Sequence, residues 1–265
     1  MKVLHRTLFT VSILILSLFA ATTFFRAISG MLTPYLHNYG ENTILVNAWG
    51  LATGHGLYRL SELKQVPVFA ATYPPVLYLL VAAGIKIWGI SYTPGRLLVY
   101  IALFGSAAMI VGIARRRGCD VRVAVMAGFA FLGVFPVYRW SPYLRVDFPA
   151  LFFELAAVYI YLGPGAPVKR AGGFVIMGLL AGYTKQSIFC LAVAALLGAV
   201  IEGSPEEKKR AVIIGCAYAL SAAAVFGLLE ALTDGSFHEF VIGSFNKEIE
   251  WGYLNREHTC WSAIR

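Results

Sequence analysis

The sequence predicts an all-α, polytopic membrane protein with about seven transmembrane helices and further juxtamembrane helices in its first outer loop. Composition is the first reason: 58% of the 265 residues are hydrophobic and only 14% are charged, whereas soluble domains carry about 25% charged residues. The apolar runs are also continuous, which favours helices over the alternating pattern of a membrane β-barrel. Finally, most basic clusters fall in short loops, as expected on the cytoplasmic side of a membrane.

The spans follow one another wherever about 20 mostly apolar residues are available to cross the bilayer as a helix. The first apolar run, from Leu8 to Phe25, is longer than the core of a secretory signal peptide, so we expect it to be retained as a span. The predicted spans are 8–29, 97–114, 123–138, 148–163, 171–183, 187–202 and 211–232.

Residues 74–90 are apolar enough for an eighth span, but the charge pattern assigns them to the outer membrane surface. If they crossed the membrane, the N-terminal basic residues would lie opposite every other basic cluster. Lys86 also suits an interfacial helix, where its ammonium reaches water, better than a buried span. We therefore predict a cytoplasmic N-terminus and an interfacial or re-entrant helix at 74–90. The clusters that then share the inner side are Lys2 with Arg6, Arg115 to Arg122, Lys169 with Arg170, and Lys208 to Arg210.

The chain is predicted to be one membrane module over residues 1–265, with two long outer segments. The first is the loop 30–95, which carries too many aromatic and apolar residues to be disordered, and the second is the tail 233–265. No internal repeat is evident, so an inverted-repeat transporter is not suggested. The net charge of +8 comes without a soluble basic domain, so nucleic acid is not an expected partner.

The four cysteines do not suggest a disulfide framework. Cys119 falls in a predicted inner loop, Cys190 and Cys216 fall within spans, and only Cys260 is predicted to lie outside. Disulfides form in oxidising compartments, and a single outer cysteine has no partner in the same chain there.

Three polar residues are predicted to meet on the outer face: Glu41, Asp147 and Lys185. Glu41 begins a short amphipathic helix over residues 44–51, where it is either a capping acid or a general base or metal ligand facing the outer cavity. Asp147 lies just before an apolar span, where an acid is costly unless it is paired or functional. Arg139 and Arg145 are its expected partners, and a purely structural ion pair is the alternative to a functional acid.

Lys185 is predicted at the tip of a tight turn between two spans, where it either snorkels to the interface or contributes to the site. Two further acids, Glu154 and Glu230, lie within or at the end of spans. We expect each of them to pair with another helix rather than to take part in chemistry.

Four short motifs, in this order, resemble the amino-terminal part of GT-C superfamily glycosyltransferases. They are Gly40-Glu41-Asn42, Tyr73-Pro74-Pro75, Arg145-Val146-Asp147 and Thr184-Lys185-Gln186. The resemblance is to the Rgt-type and dolichyl-phosphate-mannose–protein mannosyltransferase-like membrane enzymes of bacteria, and it covers residues 1 to about 250. Such enzymes transfer a sugar from a polyprenyl-phosphate donor to an acceptor at the outer face of the membrane.

The resemblance implies a role for each candidate residue. Glu41 matches the first-loop acid, the proposed base or metal ligand, and Asp147 matches the acid of the second outer loop, which would orient the acceptor. Lys185, with Arg145 and Arg139, would hold the phosphate of the donor. A divalent metal ion is left open as a cofactor, with Glu41 and Asp147 as its ligands, although the first-loop pattern often has two acids and here Asn42 follows Glu41.

The implied partners are the polyprenyl-phosphate sugar, membrane lipid and an acceptor of unspecified class, and the implied location is the bacterial plasma membrane. Family members are usually longer, so a chain that ends at Arg265 is expected to be incomplete at its C-terminus. Two other classes stay open: a lipid or solute transporter, and a membrane protein without catalytic activity.

Overall fold

The fold is described by a computed structural model, which covers residues 2–59 and 70–243. Over these two ranges the chain forms helices and no strand, so the all-α prediction is confirmed for them. Residues 60–69 of the first outer loop, Cys260 and most of the predicted outer tail lie outside the described residues. The helices are α1 (Lys2–Leu32), α2 (Tyr39–Ala52), α3 (Val76–Trp88), α4 (Tyr92–Arg116), α5 (Val121–Gly133), α6 (Phe135–Trp140), α7 (Asp147–Tyr161), α8 (Pro167–Gly182), α9 (Cys190–Glu202), α10 (Pro205–Leu232) and α11 (Phe237–Val241).

Three helices in the described part of the chain are long and apolar enough to cross a membrane: Thr7–Leu32, Tyr92–Arg116 and Pro205–Leu232. Their large apolar side chains point outward; Leu18 of α1 is 65% exposed and Leu220 of α10 is 72% exposed. Such a surface is unfavourable in water and favourable in lipid. It is compatible with an integral membrane protein.

The other predicted spans correspond to shorter helices. Helices α5, α7, α8 and α9 have 13, 15, 16 and 13 residues. At a rise of 1.5 Å per residue they extend roughly 20–24 Å, less than the hydrocarbon thickness of about 30 Å.

The predicted span 123–138 is wrong as a continuous helix, because the chain breaks at Val134 between α5 and α6. The cause is Pro136, near the start of α6, which has no N–H to donate to the carbonyl of Leu132. That carbonyl instead accepts a buried hydrogen bond of 2.7 Å from the Thr23 hydroxyl of α1. The break therefore fastens α5 to α1.

The predicted span 187–202 also begins later than expected, since α9 starts at Cys190. The buried Glu154 carboxylate, in the middle of α7, accepts hydrogen bonds from the backbone N–H groups of Leu191 and Ala192 at 2.6 and 3.2 Å. It thus satisfies donors that the first turn of a helix leaves unpaired. The prediction that Glu154 pairs with another helix is confirmed.

The two predicted helices of the first outer loop are both present. Helix α2 begins after Asn38, whose side chain accepts a hydrogen bond from the N–H of Gly40. Helix α3 begins after the double proline and ends at Trp88, with Lys86 exposed in its last turn. These two helices pack against each other and against α4.

The segments predicted to be outer meet at one end of the helix bundle. The N–H of Val76 donates to the carbonyl of Tyr183 at 3.0 Å, and the Gln186 amide donates to the carbonyl of Val241 at 3.0 Å. Ser236, before α11, donates to the carbonyl of Tyr58 at 2.5 Å. The first outer loop, the α8–α9 turn and the start of the tail therefore form one structure.

Glycine allows close contacts between several elements of the bundle. On α4, Gly105 and Gly112 lie against the rings of Phe152 and Tyr159 of α7, so that one helix supplies the gaps and the other the rings. The tightest approach is at Gly30 of α1, where an added Cβ would lie 2.2 Å from the Cβ of Pro142. Proline has no flexible side chain to move aside, so the contact needs glycine.

We expect Gly30→Ala to lower the free energy of unfolding by about 1–3 kcal/mol, because the loop at Pro142 must shift. Thermal unfolding of the purified protein in detergent measures this. Gly172→Ala in α8 is the matched control, since nothing lies within 4 Å of its added Cβ, and it is expected to leave stability unchanged or raised. Equal melting temperatures for the two variants would contradict the close contact.

Candidate functional site

Glu41 forms a fully buried ion pair with Arg96 of α4. The pair is bidentate: Arg96 Nε lies 2.9 Å from Oε1 and Nη2 lies 2.9 Å from Oε2 of Glu41. The two side chains are 1% and 0% exposed. Oε1 also accepts the N–H of Leu144 at 2.7 Å, and Oε2 accepts the N–H of His37 at 2.9 Å. The carboxylate therefore accepts four hydrogen bonds, two from Arg96 and two from backbone N–H groups.

Arg96 extends the same network to the end of α1. Its Nη1 donates to the carbonyls of Gly30 and Thr33, and its Nη2 donates to the carbonyl of Tyr35 at 2.8 Å. Gly30 lies in the last turn of α1, and Thr33 and Tyr35 lie in the segment that follows it, so the guanidinium fixes the chain where it leaves the helix. One arginine joins α1, α2 and α4.

The Glu41 carboxylate is held in its ionised form. Burial alone would raise its pKa, but the hydrogen bonds from Arg96, Leu144 and His37 outweigh burial and hold the pKa below its ordinary value. A carboxylate with a lowered pKa and no exposed surface is a weak base and is closed to solvent.

The expectation that Glu41 faces the outer cavity is therefore wrong, because its side chain is enclosed by α4, the 141–144 loop and the backbone of His37. The alternative prediction, that Glu41 caps the start of α2, does not describe its contacts either. Asn38 caps α2, whereas Glu41 bonds the N–H of His37, which precedes the helix.

Asp147, in contrast, sits in a partly exposed cluster with two cations. It is the first residue of α7; its Oδ2 lies 2.8 Å from Arg145 Nε and its Oδ1 lies 2.7 Å from Lys185 Nζ. Its side chain is 30% exposed, and those of Arg145 and Lys185 are 28% and 26% exposed. The Arg145 guanidinium lies over the ring of Trp140, 4.1 Å from its centroid, which fixes its plane.

The cations keep Asp147 ionised. Burial would raise its pKa, but hydrogen bonds from Lys185 and Arg145 outweigh burial and lower it. Arg139, the other expected partner, is not bonded to Asp147; its guanidinium lies 5.4 Å from the centroid of the Trp140 ring. The sequence prediction of an Arg139–Asp147 pair is wrong, and Arg145 with Lys185 forms the contact instead.

Asp147 and Lys185 are in contact, whereas Glu41 belongs to a separate, buried network. Leu144, which bonds Glu41, precedes Asp147 by only three residues, so the buried ion pair supports the loop that carries Asp147. Lys185 reaches the cluster from the α8–α9 turn. Within residues 2–59 and 70–243, no three or more His, Cys, Asp or Glu side chains form a group able to hold a metal ion.

Arg26 was not singled out by the sequence prediction. It borders a cavity of about 470 Å³ beside the same loop, together with Thr22, Phe25, Ser29, Gly30, His37, Tyr138, Pro142 and Tyr143. The signal was present in the sequence, since Arg26 is the single charge within the predicted span 8–29. Intramembrane charges are expensive and mark functional sites.

A larger cavity, of about 750 Å³, lies at the opposite end of the bundle, between α4, α7, α9 and α10. Its charged lining residues are Arg117, Arg170, Arg210, Glu202 and Glu207. Three arginines and two glutamates nearly balance, so this cavity carries little charge for a ligand to complement. We therefore place the candidate site at the Asp147 cluster.

Comparison of the chain with protein-family models, curated proteins and solved structures found no match. A functional hypothesis therefore rests on the geometry of the site and on the motifs of the sequence. That geometry is a surface carboxylate shared by two cations, supported from behind by a buried ion pair.

We expect Glu41→Gln to destabilise the protein by about 3–5 kcal/mol, because it leaves the Arg96 guanidinium buried without a counter-charge. Thermal unfolding in detergent at pH 7 measures the loss, and Glu206→Gln, at an exposed acid in the first turn of α10, is the control.

The loss should also depend on pH. An acid whose folded pKa is lowered contributes its full stabilisation above the unfolded pKa and loses it as the pH falls through the folded pKa. Because the pKa of Glu41 lies below its ordinary value of 4.5, the difference in stability between wild type and Glu41→Gln should shrink only below about pH 4.5. A difference that is constant down to pH 3 would contradict the ion pair.

Proposed function

We propose that this protein is a membrane glycosyltransferase, which transfers a sugar from a polyprenyl-phosphate donor to an acceptor at the outer face of the membrane. The observation that carries the proposal is the partly exposed contact of Asp147 with both Arg145 and Lys185. One carboxylate neutralises only one of two cations, so the cluster keeps a net positive charge. A structural ion pair in the surface of a protein requires only one cation.

The two cations suit the phosphate of the donor. The planar guanidinium of Arg145 is oriented by Trp140 and can bind two phosphate oxygens, while the Lys185 ammonium supplies a point charge. Negative charge grows on the phosphate as it leaves the anomeric carbon, and fixed cations stabilise that charge in the transition state.

Asp147 is then the base. The acceptor oxygen forms a bond to the anomeric carbon, the bond from that carbon to the phosphate oxygen breaks, and the phosphate leaves with the electron pair. The proton of the acceptor hydroxyl passes to the Asp147 carboxylate, a transfer that contributes about 10²–10⁴-fold. As the phosphate takes over Arg145 and Lys185, Asp147 loses the hydrogen bonds that lower its pKa and becomes a stronger base.

This assignment exchanges the roles that the resemblance implies for the two acids. Glu41 is saturated by four hydrogen-bond donors and 0% exposed, so it serves as a positioning residue for the 141–147 loop. Asp147 is 30% exposed and its partners are cations that an anion can take. A metal ion, if one binds, has Asp147 as its available carboxylate ligand.

A transporter is less well supported by the same contacts. A transport path needs charged or polar groups along the depth of the bundle. The deep acid of the described residues, Glu154, is occupied by the first N–H groups of α9. The partly exposed charges of the candidate site, Asp147, Arg145 and Lys185, all lie at one end of the helix bundle.

We also propose the finer topology: seven spans, with α5 and α6 as one broken span, α7 to α9 as short spans, and a cytoplasmic N-terminus. The basic loops support it, because Arg116 donates to the carbonyl of Tyr159 beside the α7–α8 loop and the other basic loops border the larger cavity. The Asp147 cluster then lies on the outer side.

The activity is tested by transfer of radiolabelled sugar from a panel of polyprenyl-phosphate sugars in membranes that express this chain. We expect Asp147→Asn and Lys185→Gln each to lower the rate at least about 100-fold, with expression and melting temperature close to wild type. Lys86→Gln, at an exposed lysine of α3, should retain the wild-type rate. Wild-type rates in Asp147→Asn, or no consumption of any donor by the wild type, would count against the enzyme.

The topology is tested with the natural Cys119, in a variant whose other cysteines are replaced by serine. A membrane-impermeant maleimide should leave Cys119 unlabelled in intact spheroplasts and label it after permeabilisation, because its loop is assigned to the inside. Lys86→Cys in the cysteine-free protein should be labelled in intact spheroplasts. The reverse pattern would refute the assignment.

A further inference from the structure

Arg26 is a cation without a counter-charge. It lies on α1, between Phe25 and Ala27 and six residues before the end of the helix at Leu32. Its Nε is buried and has no hydrogen-bond partner among the described residues. No Asp or Glu of residues 2–59 or 70–243 forms a salt bridge with it within 4.0 Å. Arg26 as a whole is half-buried, and a buried N–H donor without a partner is costly, above all within a membrane span.

The lining of the cavity beside Arg26 has the chemistry that an anion requires. The guanidinium lies over the ring of Tyr138, 4.8 Å from its centroid, which holds it at the cavity wall. Ser29 and the two tyrosines, Tyr138 and Tyr143, bring hydroxyl groups to the lining, and no acid is part of it. The nearest acid of the network, Glu41, is bonded to the backbone of His37 and committed to Arg96.

The same cavity opens toward the apolar outer surface of α1. Phe25, which lines it, is 68% exposed, and Leu18, two turns earlier on the helix, is similarly exposed. A ligand with a charged head and a hydrocarbon chain would satisfy both features. Simple snorkelling would extend the arginine toward water, whereas here its Nε is enclosed and its charged group is stacked on Tyr138.

We propose that this cavity is a second anion site, which binds a phosphate group through Arg26, with an anionic phospholipid as the ligand and its acyl chain along α1. The two Nη groups of Arg26 donate in parallel to two phosphate oxygens, a bidentate geometry that guanidinium and phosphate favour. The site is separate from the Asp147 cluster and does not depend on the transferase activity. Its role is to hold the end of α6 and the loop that follows it, residues 138–143, against α1 when lipid is bound.

The test uses the full chain, purified and placed in nanodiscs of phosphatidylcholine. Phosphatidylglycerol is titrated into them, and bound phosphatidylglycerol is counted by native mass spectrometry. Wild type should retain one more phosphatidylglycerol than Arg26→Gln, with an affinity at least about tenfold higher. Lys86→Gln, which removes an exposed outer charge, should bind as wild type does. The proposal would be overturned if wild type and Arg26→Gln retained equal amounts of phosphatidylglycerol. It would also be overturned if wild type retained phosphatidylcholine as well as it retains phosphatidylglycerol.

A second readout keeps the test independent of misfolding. A ligand that binds only the folded protein raises its melting temperature. Phosphatidylglycerol should therefore raise the melting temperature of wild type and leave that of Arg26→Gln unchanged, while Tyr143→Phe, which keeps the charge and removes one hydroxyl, should show a smaller rise. A rise of the same size in Arg26→Gln would contradict the site.

Soluble glycerol 3-phosphate distinguishes a lipid from a free phosphate. If the site takes the lipid, millimolar glycerol 3-phosphate should leave the bound phosphatidylglycerol in place, because the soluble compound lacks the chain that lies along α1. If it displaces the lipid in wild type, the site binds the phosphate group alone and the lipid part of the proposal is refuted.

Discussion

The ion pair of Glu41 and Arg96 is the contact on which the arrangement of this end of the helix bundle depends. The two residues are 55 apart in sequence, and their pair joins α2 and α4 to the end of α1 and to the 141–147 loop. A buried ion pair is seldom more stabilising than apolar residues of the same size, because both charges lose their hydration. An apolar pair does not provide direction, whereas here both carboxylate oxygens and both terminal guanidinium nitrogens bond particular backbone groups. The loop that carries Arg145 and Asp147 takes its position from one of them.

The two acids show how environment separates residues that the sequence makes look alike. Both stand at the start of a helix next to an apolar stretch, and local pattern alone gives them the same candidate roles. Glu41 is surrounded by donors of its own protein, so its charge is used to hold the structure. Asp147 shares its charge with two partly exposed cations, which in the proposed function are the groups that an anionic ligand binds. Only the distant partners of each carboxylate distinguish them.

Local pattern was sufficient for the helical class, for α2 and α3, and for the meeting of the segments predicted to be outer, because apolar runs, caps and charge bias are short-range or additive features. It was sufficient in principle for the break at Pro136, whose missing N–H is a property of one residue. It was not sufficient for the partner of Glu41 or the late start of α9, because these depend on side chains far away in sequence that meet only when the helices pack. The predicted span begins at Ser187, whereas α9 begins at Cys190, where the Glu154 carboxylate accepts the N–H groups of its first turn.

The late start of α9 has a consequence for how fast the site can respond. The turn that carries Lys185 is fastened on one side through Gln186 to the outer loop and tail, and on the other through Leu191 to Glu154. A backbone held at both sides has little freedom to open and close as a lid, a motion that takes microseconds to milliseconds. The lysine side chain, in contrast, can leave Asp147 for an incoming anion by changing rotamer, which takes picoseconds to nanoseconds. In the proposed mechanism the exchange of partners at this cluster is therefore a rotation of side chains on a fixed backbone, and the arrival of the ligand, rather than the opening of a lid, would set its rate.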